Sequence, residues 1–189
     1  FAFLLPLLLC LPAAAQVSAP PTTGDVAYLV KRDGEAIGNL LIGFRKDGDL
    51  LQVDSTYTVE IRLMSIVLYR YRKTMSETYA DGKLTAYRTE IDDNGTKSDV
   101  TVQKKDGGLI VFHPAGSYVA PANTIVTTYW PAATTNQTRM IDSSEGVAVD
   151  VKTSEVGTED IAVDGRTVPA RHFRMTGDLE RDLWYAAED

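Results

Sequence analysis

Apolar and polar side chains alternate along residues 51–63, which is the clearest pattern in the chain. The apolar residues of one parity are Leu51, Val53, Tyr57, Val59, Ile61 and Leu63. The intervening residues, such as Gln52 and Glu60, are polar. Because successive side chains of a β-strand point to opposite faces, the pattern predicts a strand with one apolar and one solvated face. The same alternation recurs upstream in Ala36, Leu40, Ile42 and Phe44. In that second row Gly38 leaves a gap.

Short turn sequences separate such runs at the spacing of β-hairpins. They are Asp33-Gly34, Asp47-Gly48, Asp81-Gly82, Asn94-Gly95, Gly107-Gly108, Glu145-Gly146, Asp164-Gly165 and Thr176-Gly177. Asn-Gly and Asp-Gly pairs tolerate the positive φ angles that tight hairpins require. The predicted strands between the turns are 26–32, 36–46, 50–63, 66–80, 83–91, 97–105, 109–113, 138–143, 147–155, 158–163, 166–175 and 179–185. Neighbouring strands joined by short turns are expected to pair antiparallel.

The predicted strands at 50–63 and 66–80 are longer than the common 5–6 residues, and each is expected to extend roughly 45 Å. A sheet of that length is expected to twist and curl. A segment with three prolines, residues 114–136, interrupts the strands, and its part 122–129 is expected to be a short helix or an irregular lid. The predicted fold class is therefore all-β with minor α, an antiparallel and strongly curved sheet that forms a partial or full barrel.

The beginning of the chain has the pattern of a secretory leader. Residues 1–15, FAFLLPLLLCLPAAA, are uncharged and too few to cross a bilayer, which needs about 20 apolar residues. The three alanines that end this segment predict a signal peptide, truncated at its start and cut after Ala15. Lipid attachment at Cys10 is not expected, because the residue before it is a leucine. Residues 16–25 are then predicted to be a flexible spacer, and residues 26–189 a single β-domain in the periplasm or outside the cell, without a transmembrane segment.

The charge balance argues against a nucleic-acid partner. The formal net charge is −7, and the whole negative excess lies in residues 106–189. Arg70, Arg72 and Lys73 form the one small basic cluster, interleaved with two tyrosines. Because phosphate binding needs more Lys and Arg than this, the cluster is expected to be the solvated face of a strand.

The sequence contains no recognisable pattern of catalytic or metal-binding residues. His113 and His172 are 59 positions apart without a ligand partner at metal-binding spacing, and each is expected to be a partly buried or edge histidine. A phosphate loop, a dinucleotide fingerprint, an HExxH motif and a glycine-flanked serine are all missing. The only cysteine, Cys10, lies in the leader, so the processed domain would have no thiol. We therefore predict a non-enzyme with no metal, no cofactor and no catalytic residue.

Aromatic residues supply the best candidates for a binding site. Trp130 follows Tyr129 in the proline-rich segment, and Trp184 precedes Tyr185 in the last predicted strand. Either both tryptophans close the ends of the sheet, or Tyr129 and Trp130 line the mouth of an apolar cavity. The candidate ligand-binding residues are Leu40, Ile42, Phe44, Tyr57, Val59, Ile61, Tyr129 and Trp130. The sequence leaves open whether this apolar face is a cavity or a packed core.

Several short strings resemble a family of secreted bacterial β-proteins known as a domain of unknown function. They are Ala36-Ile37-Gly38, Tyr129-Trp130-Pro131, Gly165-Arg166, Ala170-Arg171-His172-Phe173, Gly177-Asp178-Leu179 and Asp182-Leu183-Trp184-Tyr185. The resemblance covers about residues 26–185 and implies further closing strands after the last predicted one, which this chain is expected to lack. The family is architecturally similar to curved-sheet periplasmic carriers of lipid and lipoprotein, and it provides no established catalytic residue.

Three functions follow as hypotheses. The preferred one is a periplasmic, non-catalytic binding module whose concave apolar face receives a lipid, an acyl chain or another hydrophobic molecule. The second is a structural or assembly partner of an envelope protein, with a filled core. The third is an enzyme that uses residues distant in sequence, in its likeliest form the two histidines.

Overall fold

The structure is a computed structural model that describes residues 23–186. The predicted leader, its cut after Ala15 and Cys10 lie outside the described residues. The first strand begins at Thr23, so the last residues of the predicted spacer 16–25 belong to the sheet instead. Among the described residues no helix has the length and apolarity to cross a membrane.

Eight strands form the first sheet in the order of the sequence, each antiparallel to the next. They are β1 (Thr23–Arg32), β2 (Glu35–Asp47), β3 (Leu50–Leu63), β4 (Ile66–Ala80), β5 (Lys83–Asp93), β6 (Thr96–Lys105), β7 (Gly108–His113) and β8 (Gly116–Pro121). The sheet does not close on itself, because β1 and β8 each have only one neighbouring strand in the described structure. The partial, curved sheet that the alternation predicts is therefore confirmed, and the full barrel is not formed.

The second sheet has four antiparallel strands in the spatial order β12-β11-β10-β9. Their bounds are β9 (Arg139–Ile141), β10 (Ala148–Val163), β11 (Arg166–Gly177) and β12 (Arg181–Ala186). The sequence divides β10 into two strands, which is wrong: the interruption is a β-bulge at residues 155–157, and the ladder with β11 continues on both sides of it.

The proline-rich segment also differs from its prediction. Its first part forms β8, which the sequence pattern misses because prolines stand on both sides of it. Residues 122–129 are irregular and not helical, and a short 3-10 helix follows at Ala132–Asn136. We call residues 122–138, which join β8 to β9, the connecting segment. Val126 of this segment makes a parallel bridge to Ile141, so the segment is tied to the strand that follows it.

The main core lies on the inner face of the first sheet. The fully buried side chains of β6 and β7 pack there against Val126 of the connecting segment and Ile141 of β9. The sheet residues at its centre are Val100, Val102, Leu109 and Val111. Because the processed domain is predicted to have no thiol, burial of such an apolar cluster is its principal source of stability. The connecting segment thus covers the inner face and brings its two aromatic residues, Tyr129 and Trp130, to the junction of the two sheets.

Candidate functional site

A cleft with a volume of about 280 Å³ lies where the two sheets meet. We call it the inter-sheet cleft. Four elements line it: β1 and β2 of the first sheet, β12 of the second sheet and the connecting segment. The lining residues are Tyr28, Leu40, Ile42, Thr128, Tyr129, Trp130, Asp182, Leu183, Trp184 and Tyr185. Eight of these ten side chains are aliphatic or aromatic, so the cleft offers apolar contacts from both sheets at once.

Trp130 is held rigidly at the wall of this cleft. Its ring meets Phe44 and Tyr79 edge to face, with centroid separations of 5.3 and 5.4 Å. Its indole Nε1 donates a hydrogen bond of 2.8 Å to Glu77 Oε1. Two perpendicular aromatic contacts and one directed hydrogen bond leave the ring little freedom. The cleft therefore has a rigid wall on this side.

Glu77 is the anchor beneath Trp130. The carboxyl group is fully buried on the inner face of β4. In addition to the indole, the hydroxyls of Tyr79 and Thr128 donate to its Oε2 atom over 2.6 and 3.2 Å. Burial raises the pKa of Glu77 to about 7, although these donors and the nearby Lys73 oppose the shift. One side chain thus ties residues 128 and 130 of the connecting segment to the first sheet.

Lys73 forms a second anchor on the same strand. Its buried Nζ donates to Ser143 Oγ at 2.7 Å and to Ser144 Oγ at 2.8 Å. Burial lowers the pKa of Lys73 to about 8. The prediction that Lys73 lies on a solvated strand face with Arg70 and Arg72 is therefore wrong for the lysine, which points inward, and right for the two exposed arginines. Side chains of β4 alternate, and residue 73 has the parity of the buried face.

A lysine beside two serine hydroxyls is also the arrangement of a base with a nucleophile. The neighbouring backbone does not complete such a site, because the amides of Ser144 and Glu145 both donate to Asp142 Oδ1 at 2.8 Å. They are used within the turn and do not face an incoming oxyanion. We therefore interpret the Lys73 cluster as a structural anchor of the turn after β9, which Thr127 of the connecting segment also contacts through a hydrogen bond of 3.1 Å to Ser143.

His172 lies at the edge of the inter-sheet cleft. Its ring stacks on Trp184 with a centroid separation of 4.4 Å, and its two nitrogens lie 2.7 Å from Glu159 and 2.8 Å from Asp182. The hydrogen bond to Asp182, followed by the one to Glu159, raises the pKa of His172. The residue is 6% exposed, so it is more deeply buried than the partly buried or edge histidine that the sequence predicts. Glu159, which contacts one nitrogen of the His172 ring, also accepts a hydrogen bond of 3.2 Å from the indole of Trp184, and the two contacts hold Trp184 in place.

The structure divides the predicted ligand-binding residues into two groups. Leu40, Ile42, Tyr129 and Trp130 line the inter-sheet cleft, and Phe44 supports it from behind through Trp130. Tyr57, Val59 and Ile61 follow β3 away from the cleft, where Tyr57 meets Tyr71 edge to face at 5.8 Å. The role of all eight in ligand binding stays a prediction.

Sequence reasoning missed the part of the cleft that the second sheet supplies. Trp184, which it considered as closing an end of the sheet, lines the cleft together with its neighbours Leu183 and Tyr185. Tyr28 on β1 was also missed. The available signal was the cluster of aromatic residues in β12, but nothing local shows that this strand lies against β1 and β2.

The comparison with protein families decides the affiliation of the chain. Residues 28–189 match the family described as "Domain of unknown function (DUF6134)". The chain belongs to this family. The match covers nearly all of the described domain and confirms the resemblance found in the sequence. The search of curated proteins finds no match, and neither does the search of solved structures.

The DUF6134 family carries no description of an activity, so the function of this member has to be argued from its own geometry. Among residues 23–186 no group of three or more His, Cys, Asp or Glu side chains is placed to hold a metal ion. The inter-sheet cleft is the feature of the described chain that combines apolar lining, a fixed aromatic wall and access to solvent.

Proposed function

We propose that this protein is a non-catalytic binding module that receives a small hydrophobic ligand in the inter-sheet cleft. The observation that carries the proposal is the apolar lining that both sheets contribute, with Trp130 fixed on one side and Trp184 on the other. Apolar concave sites with few polar groups are the usual form of small-molecule sites. In this cleft the polar groups are Thr128 and Asp182 together with the tyrosine hydroxyls.

The size of the cleft limits the ligand. A volume of about 280 Å³ is at the lower end of ligand pockets, which range over roughly 300–1,000 Å³. An aromatic ring system or part of one acyl chain suits this volume, whereas a complete diacyl lipid exceeds it. The ligand class we propose is therefore a medium-length acyl chain or a compact aromatic molecule.

Tryptophan fluorescence is the direct test, because both tryptophans of the chain line the cleft. Titration of the purified protein with decanoic acid, or with anilinonaphthalene sulfonate, is expected to give a saturable change in emission. Leu40→Arg places a charge in the cleft and is expected to weaken binding at least about tenfold, a change of about 1.4 kcal/mol. Tyr28→Ala, at a side chain that is 54% exposed, serves as a milder second variant.

The matched control is Leu41→Arg. Leu41 is the next residue of the same strand, but it points to the opposite face and is 53% exposed. Binding by this variant is expected to equal that of the unsubstituted protein. An emission spectrum that never saturates, or an equal loss in the Leu40 and Leu41 variants, would contradict the proposed site.

We also propose that the protein works outside the cytoplasm, supported by the leader pattern at residues 1–15. The proposal predicts that the protein recovered from the cell envelope begins at Gln16. An intact-mass measurement checks this, and a mass that includes residues 1–15 would contradict it.

A further inference from the structure

The hairpin of β3 and β4 extends beyond its neighbours on both sides. The ladder between β2 and β3 ends at the pair Gly38 and Val59, and the ladder between β4 and β5 ends at Tyr71 and Asp93. Among the described residues, 60–63 and 66–69 have strand partners only in each other, while Arg70 O also accepts a hydrogen bond of 2.8 Å from Asn94 N in the next turn. We call residues 60–70 the arm. From Glu60 to the turn it spans about 13 Å at 3.3 Å per residue.

The end of the arm is apolar and exposed. Leu63 is 60% exposed, Met64 94%, Ile66 66% and Leu68 55%. In the ladder of the arm Ile66 pairs with Leu63, on the face that carries Ile61, whereas Val67 pairs with Arg62 on the opposite face, after a shift of register at Leu68. Both faces of the arm are therefore apolar near the turn, and no described element covers either face. An apolar surface of this kind marks an interaction site.

The turn itself departs from the other hairpins. At Asp33, Asp81, Asn94 and Asp164 a polar residue takes a φ near +50° before a glycine. In the arm this position is occupied by Met64, with φ of 54°, followed by Ser65. A positive φ is least costly for Gly, Asn and Asp, so a methionine here costs backbone energy and gains no contact within the chain. A local rule that is broken without an internal gain points to a function outside the fold.

Polar and aromatic residues follow directly behind the apolar end. Arg62 and Arg70 both pair with Glu60, at 2.5 and 2.9 Å, and Tyr69 lies between the two arginines along the arm. Two arginines and one glutamate give residues 60–70 a net charge of +1, whereas the whole chain carries −7. An apolar end backed by arginine and tyrosine is the order of residues found along a segment that enters a lipid interface.

We propose that the arm inserts its apolar end into the surface of a membrane that contains anionic lipid. The turn lies roughly 7 Å beyond Arg62 and roughly 13 Å beyond the pair of Glu60 and Arg70, a range that includes the 5–10 Å depth at which interfacial segments are buried. A bilayer surrounds an inserted hairpin on every side, which suits an arm that is apolar on both faces better than the flat surface of a protein does. Arg62 and Arg70 would then lie at the level of the lipid phosphates. This inference does not depend on the inter-sheet cleft, which contains no residue of the arm.

A position-specific probe separates the arm from the rest of the chain. Cys10 is the only cysteine, so Cys10→Ser combined with Met64→Cys allows one environment-sensitive fluorophore to be attached at the turn. On vesicles of phosphatidylcholine and phosphatidylglycerol the label is expected to shift to the blue and to be quenched by a nitroxide lipid. The same label at Val119→Cys, a position on β8 that is 68% exposed, is the control and is expected to stay in water.

A second comparison measures the contribution of the apolar side chains. Leu63→Ser, Ile66→Ser and Leu68→Ser together are expected to reduce the vesicle-bound fraction of the Met64 label at least about tenfold, because each exposed leucine-sized side chain adds apolar area to the interface. Leu41→Ser on β2 is the control and is expected to leave the vesicle-bound fraction unchanged. The protein is expected to bind vesicles of phosphatidylcholine alone more weakly than vesicles with anionic lipid. Added salt is expected to reduce this difference in binding.

Two results would overturn the proposal. The first is a label at residue 64 that stays in water while the protein is bound to vesicles. The second is a blue shift that appears without lipid and depends on protein concentration, since such a shift reports contact with a second copy of the chain. In either case ligand binding in the cleft can still be present, so the two proposals fail separately.

Discussion

Replacing Glu77 with alanine is expected to lower the free energy of unfolding by about 3–5 kcal/mol. The carboxyl group is fully buried and accepts hydrogen bonds from Tyr79, Thr128 and Trp130. Without it, one buried and two half-buried donors lose their acceptor, and the connecting segment loses its attachment to β4 through Glu77. Urea unfolding followed by circular dichroism measures the change, and a loss below about 1 kcal/mol would show that Glu77 is not an anchor.

The matched variant Glu77→Gln retains a hydrogen-bond acceptor and removes the titration. Burial raises the pKa of Glu77 from an ordinary 4.5 to about 7, so the folded protein holds this proton more tightly than the unfolded chain does. The stability that the protonated group contributes is complete below pH 4.5 and is lost as the pH rises through 7. The unsubstituted protein is therefore expected to lose about 2–3 kcal/mol relative to Glu77→Gln across this window. Parallel stability curves for the two proteins would contradict the assignment.

Gly38→Ala is expected to destabilise the first sheet by about 3 kcal/mol or more. A Cβ atom at this position would lie 1.8 Å from the carbonyl oxygen of Thr58 on the neighbouring strand. The backbone carbonyl of Thr58 cannot move aside as a flexible side chain can, so β2 and β3 have to separate locally. The gap that Gly38 leaves in the apolar row of the sequence is thus a place where the carbonyl group of Thr58 occupies the space of a Cβ atom. Thermal or urea unfolding measures the cost.

The control for Gly38→Ala is Gly43→Ala on the same strand. There the Cβ would meet the side-chain oxygen of Asp25 at 3.0 Å, and the nearest backbone atom is 3.8 Å away. A side chain can move aside, so a change below about 1 kcal/mol is expected. Equal losses in the two variants would show that a general intolerance of β2, rather than the contact with Thr58, is responsible.

The strands and their antiparallel pairing were predictable because their signals are local. Alternation along β2 and β3 defines one apolar face, and Asp-Gly or Asn-Gly pairs form most of the hairpin turns. The failures have local causes too. Prolines around β8 hid a strand of six residues, and Gly157 at the bulge of β10 has the composition of a turn although the ladder continues past it.

The candidate site was predictable only in part. Alternation places Leu40 and Ile42 on the inner face, and the proline-rich segment draws attention to Tyr129 and Trp130. Neither signal shows that β12 approaches these four residues, since sequence periodicity describes one element at a time. Glu77 and Lys73 lie at inward-facing positions of β4. The sequence alone does not indicate that a charged residue at such a position is buried, because its buried partners are distant in the chain.

The amino-acid sequence by itself determined the all-β class, the order of the hairpins and the existence of one apolar face, because these depend on backbone geometry and on side-chain parity over a few residues. Only the tertiary structure decided which part of that face is packed and which part is open. The buried Glu77, the cleft between β2 and β12 and the arm beyond Val59 arise from contacts or missing neighbours more than a strand apart. Such contacts depend on how two sheets and a connecting segment share one volume, and no short stretch of residues specifies that.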